Sequence, residues 1–235
     1  MNMLLRSALV ASTFGLFVGC GLLGNKPGDN GGGGGGADQS QAMLDSQKDT
    51  PTTYTVSLPP NPKVGMWWEH SASGSKMKYA ITAAKDDKLI VEQEMAMGET
   101  TLVNAWLVDP SVDLTAVPNE GEKVAHNVSM AWIGIKGKEA IERKVMEVPV
   151  YEKGEAGEAP DYTEGDETVE LAGKKWNAHW VESGDSKTWM VKDTGFLLKS
   201  MYQGKVSMEL SAVGGDAKSG LKWDGGGEEK KEEEK

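Results

Sequence analysis

Cysteine and histidine are scarce in this chain. Its 235 residues include one cysteine, Cys20, and three histidines that lie far apart in the sequence. A single cysteine cannot form an intramolecular disulfide, so the folded part has to be stabilised by its core. The sequence also lacks H-E-x-x-H and G-x-S-x-G, which are typical of zinc peptidases and serine hydrolases. We therefore predict a non-catalytic protein with no cofactor and no bound metal.

Positive charge is also in short supply. Lysine and arginine number 25 against 36 aspartates and glutamates, a formal net charge of -11. Nucleic acids and anionic lipid surfaces attract basic proteins and repel acidic ones. The charge balance therefore predicts no nucleic-acid partner and no electrostatic docking to a membrane.

Long apolar runs are missing except at the start of the chain. Residues 7–18 are apolar or small throughout, which is too short for a membrane span of about 20 residues but typical of a signal-peptide core. Arg6 supplies a positive charge before the run, and Gly19 and Cys20 follow it. A buried cysteine on an ordinary helix is the alternative interpretation.

The Gly19–Cys20 junction resembles the bacterial lipoprotein signal, whose lipobox ends in a small residue followed by cysteine. That resemblance implies cleavage between Gly19 and Cys20 by signal peptidase II, with acyl chains such as palmitate on Cys20. Two or three chains hold a protein firmly in a bilayer, since each buried methylene contributes about 0.8 kcal/mol. Phe17 stands where leucine is usual and keeps the apolar character. Gly21 in place of aspartate implies the outer membrane, with the protein facing the periplasm or the cell surface.

Composition divides the rest of the chain into three further segments. Residues 20–50 contain the glycine run at 31–36 and no periodic apolar pattern, which predicts a disordered tether. Residues 51–223 are long enough for one β-rich domain with a sizeable core. Residues 224–235 read DGGGEEKKEEEK and predict a charged, disordered tail. The predicted signal peptide is residues 1–19.

Alternation of apolar and polar residues dominates the predicted domain. In KMKYAITAAK, Met77, Tyr79 and Ile81 occupy every second position, which is typical of a half-buried strand. KDDK at residues 85–88 predicts a turn, and the C-terminal third repeats this pattern of short strands and turns. Strands joined by short turns pair antiparallel. We therefore predict a mainly β fold, an antiparallel meander forming a curved sheet or half-barrel, with one short helix at most.

Two middle segments depart from this alternation. Ile141, Val145 and Val148 lie at helical spacing before a proline, which predicts a short helix. Residues 152–167 are rich in acids and glycine and predict a long exposed loop. Its carboxylates could bind calcium, although their spacing matches no EF-hand and a solvated loop is the favoured interpretation. These carboxylates belong to Asp161, Glu164, Asp166 and Glu167.

Tryptophan is abundant, with eight in the chain. Trp176, Trp180 and Trp189 should share one face of the sheet if their hairpin pairs as expected. The favoured interpretation is core, because buried aromatic side chains hold a sheet against the element that covers it. The alternative is a groove for a lipid or an apolar peptide, lined by these three side chains.

The segment VELAGKKWNAHWVESGDSKTWMVKDTGFLLKSMYQGKVSMEL looks like the last strands of β-rich bacterial envelope domains, including the lipoprotein localisation factors. The resemblance implies a curved antiparallel sheet that wraps an apolar cavity closed by helices. It suggests a binding domain for a lipid, a peptide or an envelope protein. One alternative is a structural or assembly component of the envelope with a filled core. The other is a hydrolase, because SGSK at residues 73–76 formally fits the S-x-x-K motif.

Overall fold

A computed structural model describes residues 36–97, 100–152 and 161–223. The predicted signal peptide, Cys20, the glycine run up to residue 35 and the predicted tail lie outside these ranges. The described part contains one helix and eleven strands. Their bounds are α1 Gly36–Lys48, β1 Trp67–Ala72, β2 Ser75–Lys85, β3 Lys88–Met97, β4 Thr100–Val108, β5 Val128–Ile135, β6 Ile141–Arg143, β7 Tyr162–Leu171, β8 Lys174–Ser183, β9 Ser186–Val191, β10 Phe196–Tyr202 and β11 Lys205–Gly214.

All eleven strands form one antiparallel sheet, which is curved and unclosed. Its order is β6-β5-β4-β3-β2-β1-β11-β10-β9-β8-β7. Chain neighbours pair throughout the two halves, and β1 joins β11 between them, with Trp67 opposite Gly214. The predicted fold class, a mainly β meander with one short helix, is therefore confirmed.

Tight turns set the register of several hairpins. Asp86 and Asp87 both have positive φ, 50° and 61°, between β2 and β3. Ser73 and Gly74 do the same between β1 and β2, with φ of 46° and 86°. Two consecutive positive φ values are the signature of type I′ turns, whose twist matches that of the paired strands. The turn predicted at residues 85–88 is therefore confirmed.

The core lies on one face of the sheet. Phe196 is 1% exposed and contacts the rings of Trp68, His70 and Trp176, with centroids 5.8, 5.9 and 6.0 Å away. Trp68 also stacks on Tyr79 at 5.4 Å. These aromatic side chains come from β1, β2, β8 and β10, so they pack the two halves of the sheet against each other.

Residues 52–58, which precede β1, lie against this core face, and we name them the strap. Val56 and Leu58 are buried and pack with the core. The side chain of Asn127 holds the strap through both backbone groups of Val56, accepting its N–H and donating to its carbonyl, each at 2.9 Å. Trp106 donates its indole N–H to the hydroxyl of Thr52 at 3.1 Å. The strap therefore fills part of the concave face with the protein's own side chains.

A second segment, the clasp at residues 219–223, crosses the opposite face. Leu221 is buried against Val103 and Ala105, and Trp223 packs edge-on against Trp132 with centroids 5.0 Å apart. Replacing the hydrogen of Gly134 by a Cβ would bring it 2.6 Å from Leu221, so a larger residue there would push the clasp away. Both faces of the β3–β5 region are therefore covered.

The helix predicted around residues 141–148 is wrong. Ile141 and Arg143 belong to β6 and pair with Ile133 and Ala131 of β5. The helix lies instead at Gly36–Lys48, so the disorder predicted for residues 20–50 is wrong for these residues. Leu44 explains the difference, because it is only 4% exposed and α1 contacts β4, β5 and β6. Burial of one apolar side chain there outweighs the polar composition that predicted a tether.

The exposed loop predicted at residues 152–167 is wrong from Tyr162 onwards. Residues 162–171 form β7, which pairs with β8 along its whole length, from Tyr162 opposite Ser183 to Leu171 opposite Lys174. Cross-strand pairing with β8 overrides an acidic composition that is unfavourable for strands. Residues 153–160 of the predicted loop lie outside the described ranges.

Candidate functional site

The three tryptophans share one face of the sheet, as predicted. Trp180 of β8 lies directly opposite Trp189 of β9 and, on its other side, opposite Gly165 of β7. Trp176 lies further along β8 on the same face, opposite Val169 of β7. The row therefore runs from the edge of the sheet inwards. We name these three side chains the tryptophan row.

The protein's own groups contact much of the tryptophan row. Trp189 is 8% exposed and donates its indole N–H to the carboxylate of Glu167. Trp176 donates to the carbonyl of Leu171 at 3.0 Å. The ammonium of Lys187 lies 3.9 Å from the ring centre of Trp180 and 5.2 Å from that of Trp189, a cation–π arrangement. These contacts support the core interpretation, and the groove stays a prediction.

Trp180 also reaches the sheet edge. A Cβ built on Gly165 would lie 2.9 Å from its indole ring, so only glycine fits there without a shift of the ring. Large aromatic rings cover glycines in neighbouring strands in this way. The tryptophan row therefore places the indole of Trp180 beside the backbone of β7, the strand at this edge of the sheet.

Carboxylates occupy the opposite face of β7. Glu164, Asp166 and Glu170 alternate with residues of the tryptophan side. Asp166 accepts from His179 at 2.9 Å and from Lys192 at 3.1 Å. These contacts, that of His179 first, lower the pKa of Asp166. Asp166 therefore stays ionised across the physiological pH range.

The four predicted calcium-binding carboxylates do not converge. Glu164 and Asp166 lie on one face of β7, and Glu167 lies on the other, next to Trp189. Strand alternation separates them by the thickness of the sheet. Across the described ranges, no group of three or more His, Cys, Asp or Glu side chains has the geometry to hold a metal ion.

The sequence did not reveal a buried polar chain on the core side. Gln93 donates to the hydroxyl of Tyr79 at 2.8 Å, and Asn104 donates to Gln93 at 3.4 Å. Arg143 donates to Asn104 at 2.8 Å and to the carbonyl of Thr50 at 2.6 Å. Burial raises the pKa of Tyr79 to about 12. Each residue alone looks like an ordinary polar strand position, so only cross-strand register brings them together.

His70 is buried beside the aromatic core. Its Nε2 lies 2.9 Å from the carbonyl of Leu197, which can only accept, so the neutral ring donates from Nε2. Burial lowers the pKa of His70, and the Leu197 contact opposes that effect. The folded protein therefore holds this histidine neutral at a pH where the unfolded chain, with a histidine pKa of about 6.5, is already charged.

We expect stability to fall as pH decreases below about 6.5, because the unfolded chain then binds a proton that folded His70 does not. The loss continues until pH reaches the lowered pKa of the folded state. Urea unfolding at a series of pH values should show a smaller loss for His70→Gln, which keeps an N–H donor and cannot titrate. The exposed His126 supplies the control, His126→Gln. An unchanged pH profile in His70→Gln would refute the assignment.

The four residues of the S-x-x-K match lie in the β1–β2 turn and at the start of β2. Ser73 has a positive φ in the turn between β1 and β2. The ammonium of Lys76 in β2 forms an ion pair with the carboxylate of Glu69 at 2.9 Å. Penicillin-binding enzymes place this motif at a helix start. An open surface groove lies elsewhere, between the start of β3 and the residues before β5. It is lined by Lys88, Asp109, Val112 and residues 123–129.

Comparison of the chain with protein-family models, with curated proteins and with solved structures found no match. None of the helices in the described part of the chain has the length and apolarity that crossing a membrane requires. The lipoprotein resemblance therefore stays a prediction from the first twenty residues.

Proposed function

We propose that this protein is a lipid-anchored envelope lipoprotein whose β domain binds a partner without catalysis. The Gly19–Cys20 junction carries the anchoring half of this proposal, because it follows a charged start and an apolar core of signal-peptide length. The anchor is Cys20. The domain faces the periplasm or the cell surface from the outer membrane, in keeping with Gly21.

The binding half of the proposal is supported by the tryptophan row at the edge of the sheet. The candidate partners of such a fold are a lipid, a peptide and an envelope protein. Val56 and Leu58 of the strap occupy part of the core face, where a lipid chain would otherwise lie. Trp180, in contrast, adjoins the backbone of an edge strand. This arrangement favours a peptide or an envelope protein as the partner.

A structural or assembly role is the second candidate. The filled core supports it, since the strap and the tightly packed Phe196 leave the aromatic cluster with the protein's own contacts. In this alternative the domain has no ligand cavity and acts through its outer surface. A hydrolase finds less support, because Ser73 and Lys76 lack the helix start that the S-x-x-K chemistry uses.

We expect Cys20→Ala to remain an unprocessed precursor and to lose all labelling by a fatty-acid analogue, because the thiol is the acylated group. Labelling in growing cells, followed by gel mobility and membrane fractionation, measures both effects. Ser7→Ala, within the apolar run, is the matched control and should be processed and labelled normally. Persistent labelling of Cys20→Ala would refute the lipid anchor.

Trp180→Ala separates core from groove. Trp180 is partly buried against the core, so we expect a loss of about 2–3 kcal/mol in the free energy of unfolding, less than for a fully buried tryptophan. Unfolding and retention of a hydrophobic fluorescent probe should be measured on the same preparation. Parental stability combined with loss of the probe would favour a groove for an apolar ligand. The exposed Tyr202→Ala should change neither quantity.

A further inference from the structure

The two edges of the sheet differ in the backbone hydrogen bonds that other segments make beside them. Beyond β6, the strap bonds to the chain that follows, with Thr52 N–H donating to the Lys144 carbonyl and Met146 N–H donating to the Thr52 carbonyl, both at 2.8 Å. At the other edge, β7 pairs with β8 on one side, and part of β7 also lies close to β11 without pairing with it. Within the described ranges, residues 162–171 make no backbone–backbone hydrogen bond outside that pair. Every second residue of β7 therefore directs its N–H and carbonyl away from the sheet.

β7 also has the regularity that an added strand requires. Its pairing with β8 runs through Tyr162 to Leu171 without a bulge, and Thr163, Thr168 and most of the residues around them are exposed. Long, regular edge strands are templates for pairing with another chain unless charge, proline or a bulge prevents it. β7 contains no proline, lysine or arginine. Among the described residues of this strand, the charged side chains are all carboxylates.

These carboxylates disfavour a second copy of the same strand. In an antiparallel β7–β7 pair centred on Glu167, Glu164 would lie opposite Glu170 and Asp166 would lie opposite Thr168. Like charges placed directly opposite each other destabilise a sheet, whereas opposite charges stabilise it. The same carboxylates would attract lysine or arginine at alternate positions of an incoming strand.

The other face of β7 sets a different requirement. Gly165 has no side chain, and the indole of Trp180 lies directly over it. Val169 lies on the same face beside Trp176. Glu167 lies between Gly165 and Val169 on the same face, with its carboxylate bound to the indole N–H of Trp189. An incoming strand would therefore place its second set of residues next to a surface that is apolar and aromatic at Gly165 and Val169. Because strand side chains alternate between faces, one segment can satisfy both requirements.

We propose that β7 is the docking edge for an extended segment of a partner protein that alternates basic and apolar residues and adds to the sheet. Its basic side chains lie along Glu164, Asp166 and Glu170, and its apolar side chains lie along Gly165 and Val169. Main-chain hydrogen bonds supply affinity, and the two faces supply specificity, as in other strand-addition complexes. This inference rests on the proposed function only in naming the partner class of the binding domain.

The test uses the full chain, purified in a neutral detergent, and a fluorescent peptide of alternating lysine and valine as long as β7. Fluorescence anisotropy should show saturable binding that weakens as salt screens the carboxylates. The double variant Glu164→Lys/Glu170→Lys should bind about tenfold more weakly, since two attractive pairs become repulsive. Glu120→Lys/Glu142→Lys makes the same charge change at exposed residues away from β7 and should bind like the parent. Circular dichroism checks that each variant is folded.

Two methylated peptides separate strand addition from electrostatic adsorption. One carries N-methyl groups on its lysine amides and the other on its valine amides, so in each peptide only one backbone edge can donate. We expect one of the two to bind like the parent peptide and the other to lose binding. If both bind, or both fail, the strand-addition mechanism is wrong.

Three further outcomes would overturn the inference. They are the absence of any peptide binding, equal weakening in the charge-matched control, and a dimer of the chain in sedimentation that the peptide dissociates. The last of these would identify a second copy as the occupant of β7. Fatty-acid labelling of Cys20 is measured separately, so a failed peptide experiment leaves the lipid-anchor proposal standing, and failed labelling leaves the β7 inference standing.

Discussion

Phe196→Ala should lower the free energy of unfolding by about 3–5 kcal/mol, the range measured for large aromatic side chains removed from a packed core. Phe196 is 1% exposed and touches Trp68 and His70 of β1 and Trp176 of β8, which lie on opposite sides of the β1–β11 junction. Rigid rings collapse poorly into the space left behind, so most of the cavity should persist. Such a loss is a large part of the usual total of about 5–15 kcal/mol.

Urea unfolding with linear extrapolation measures this loss. Tyr202→Ala is the matched control, because Tyr202 is an aromatic residue of the same strand and is 56% exposed. It should change stability by no more than about 0.5 kcal/mol. A Phe196→Ala variant as stable as the Tyr202→Ala control would mean that the aromatic cluster does not join the two halves of the sheet.

Glu92→Ala should lower the free energy of unfolding by about 2–3 kcal/mol, because it removes the acceptor of the buried Gly220 N–H and of two part-buried hydroxyl hydrogen bonds. Glu92 is 2% exposed and accepts from the hydroxyls of Thr82 and Ser219 and from the N–H of Gly220 at 2.6 Å. Two of these donors belong to the clasp. The clasp should therefore loosen first, and hydrogen exchange of the Gly220 amide should accelerate more than that of amides in the centre of β4.

Glu94→Ala provides the control for this prediction. Glu94 lies two residues further along the same strand and pairs with the half-exposed Lys136 at 2.7 Å. Exposed ion pairs contribute about 0–1 kcal/mol, so this variant should stay near the parent in stability and in exchange of Gly220. Equal effects of the two substitutions would show that Glu92 does not fasten the clasp.

Local pattern was enough to predict much of the sheet. Met77, Tyr79 and Ile81 alternate with polar or small residues in β2, and the KDDK turn fixes where β2 ends and β3 begins. The shared face of Trp180 and Trp189 followed from the same reasoning, because a short turn sets the register of the two strands that it joins. Hairpins depend on neighbouring residues, which a sequence displays directly.

Predictions based on average composition were less successful. The acids of β7 resemble those of a solvated loop, yet β8 supplies a partner for every residue from Tyr162 to Leu171. Residues 36–48 look polar, yet Leu44 anchors them as a helix. The apolar spacing around Ile141 predicted a helix, but Ile141 and Arg143 form a strand because they pair with β5. In each case one contact with a distant element outweighed the preference of the segment itself.

By itself, the sequence determined the fold class and several of the hairpins that build it, whereas the lipid anchor at Cys20 stays a prediction. Only the tertiary structure decided that Trp67 pairs with Gly214, that the strap fills part of the core face and that β7, among the described residues, pairs with a strand on one side only. The physical reason is the distance along the chain over which each interaction acts. Turn geometry and side-chain alternation act between residues that are close along the chain, whereas the β1–β11 junction and the strap depend on which apolar faces can be buried together.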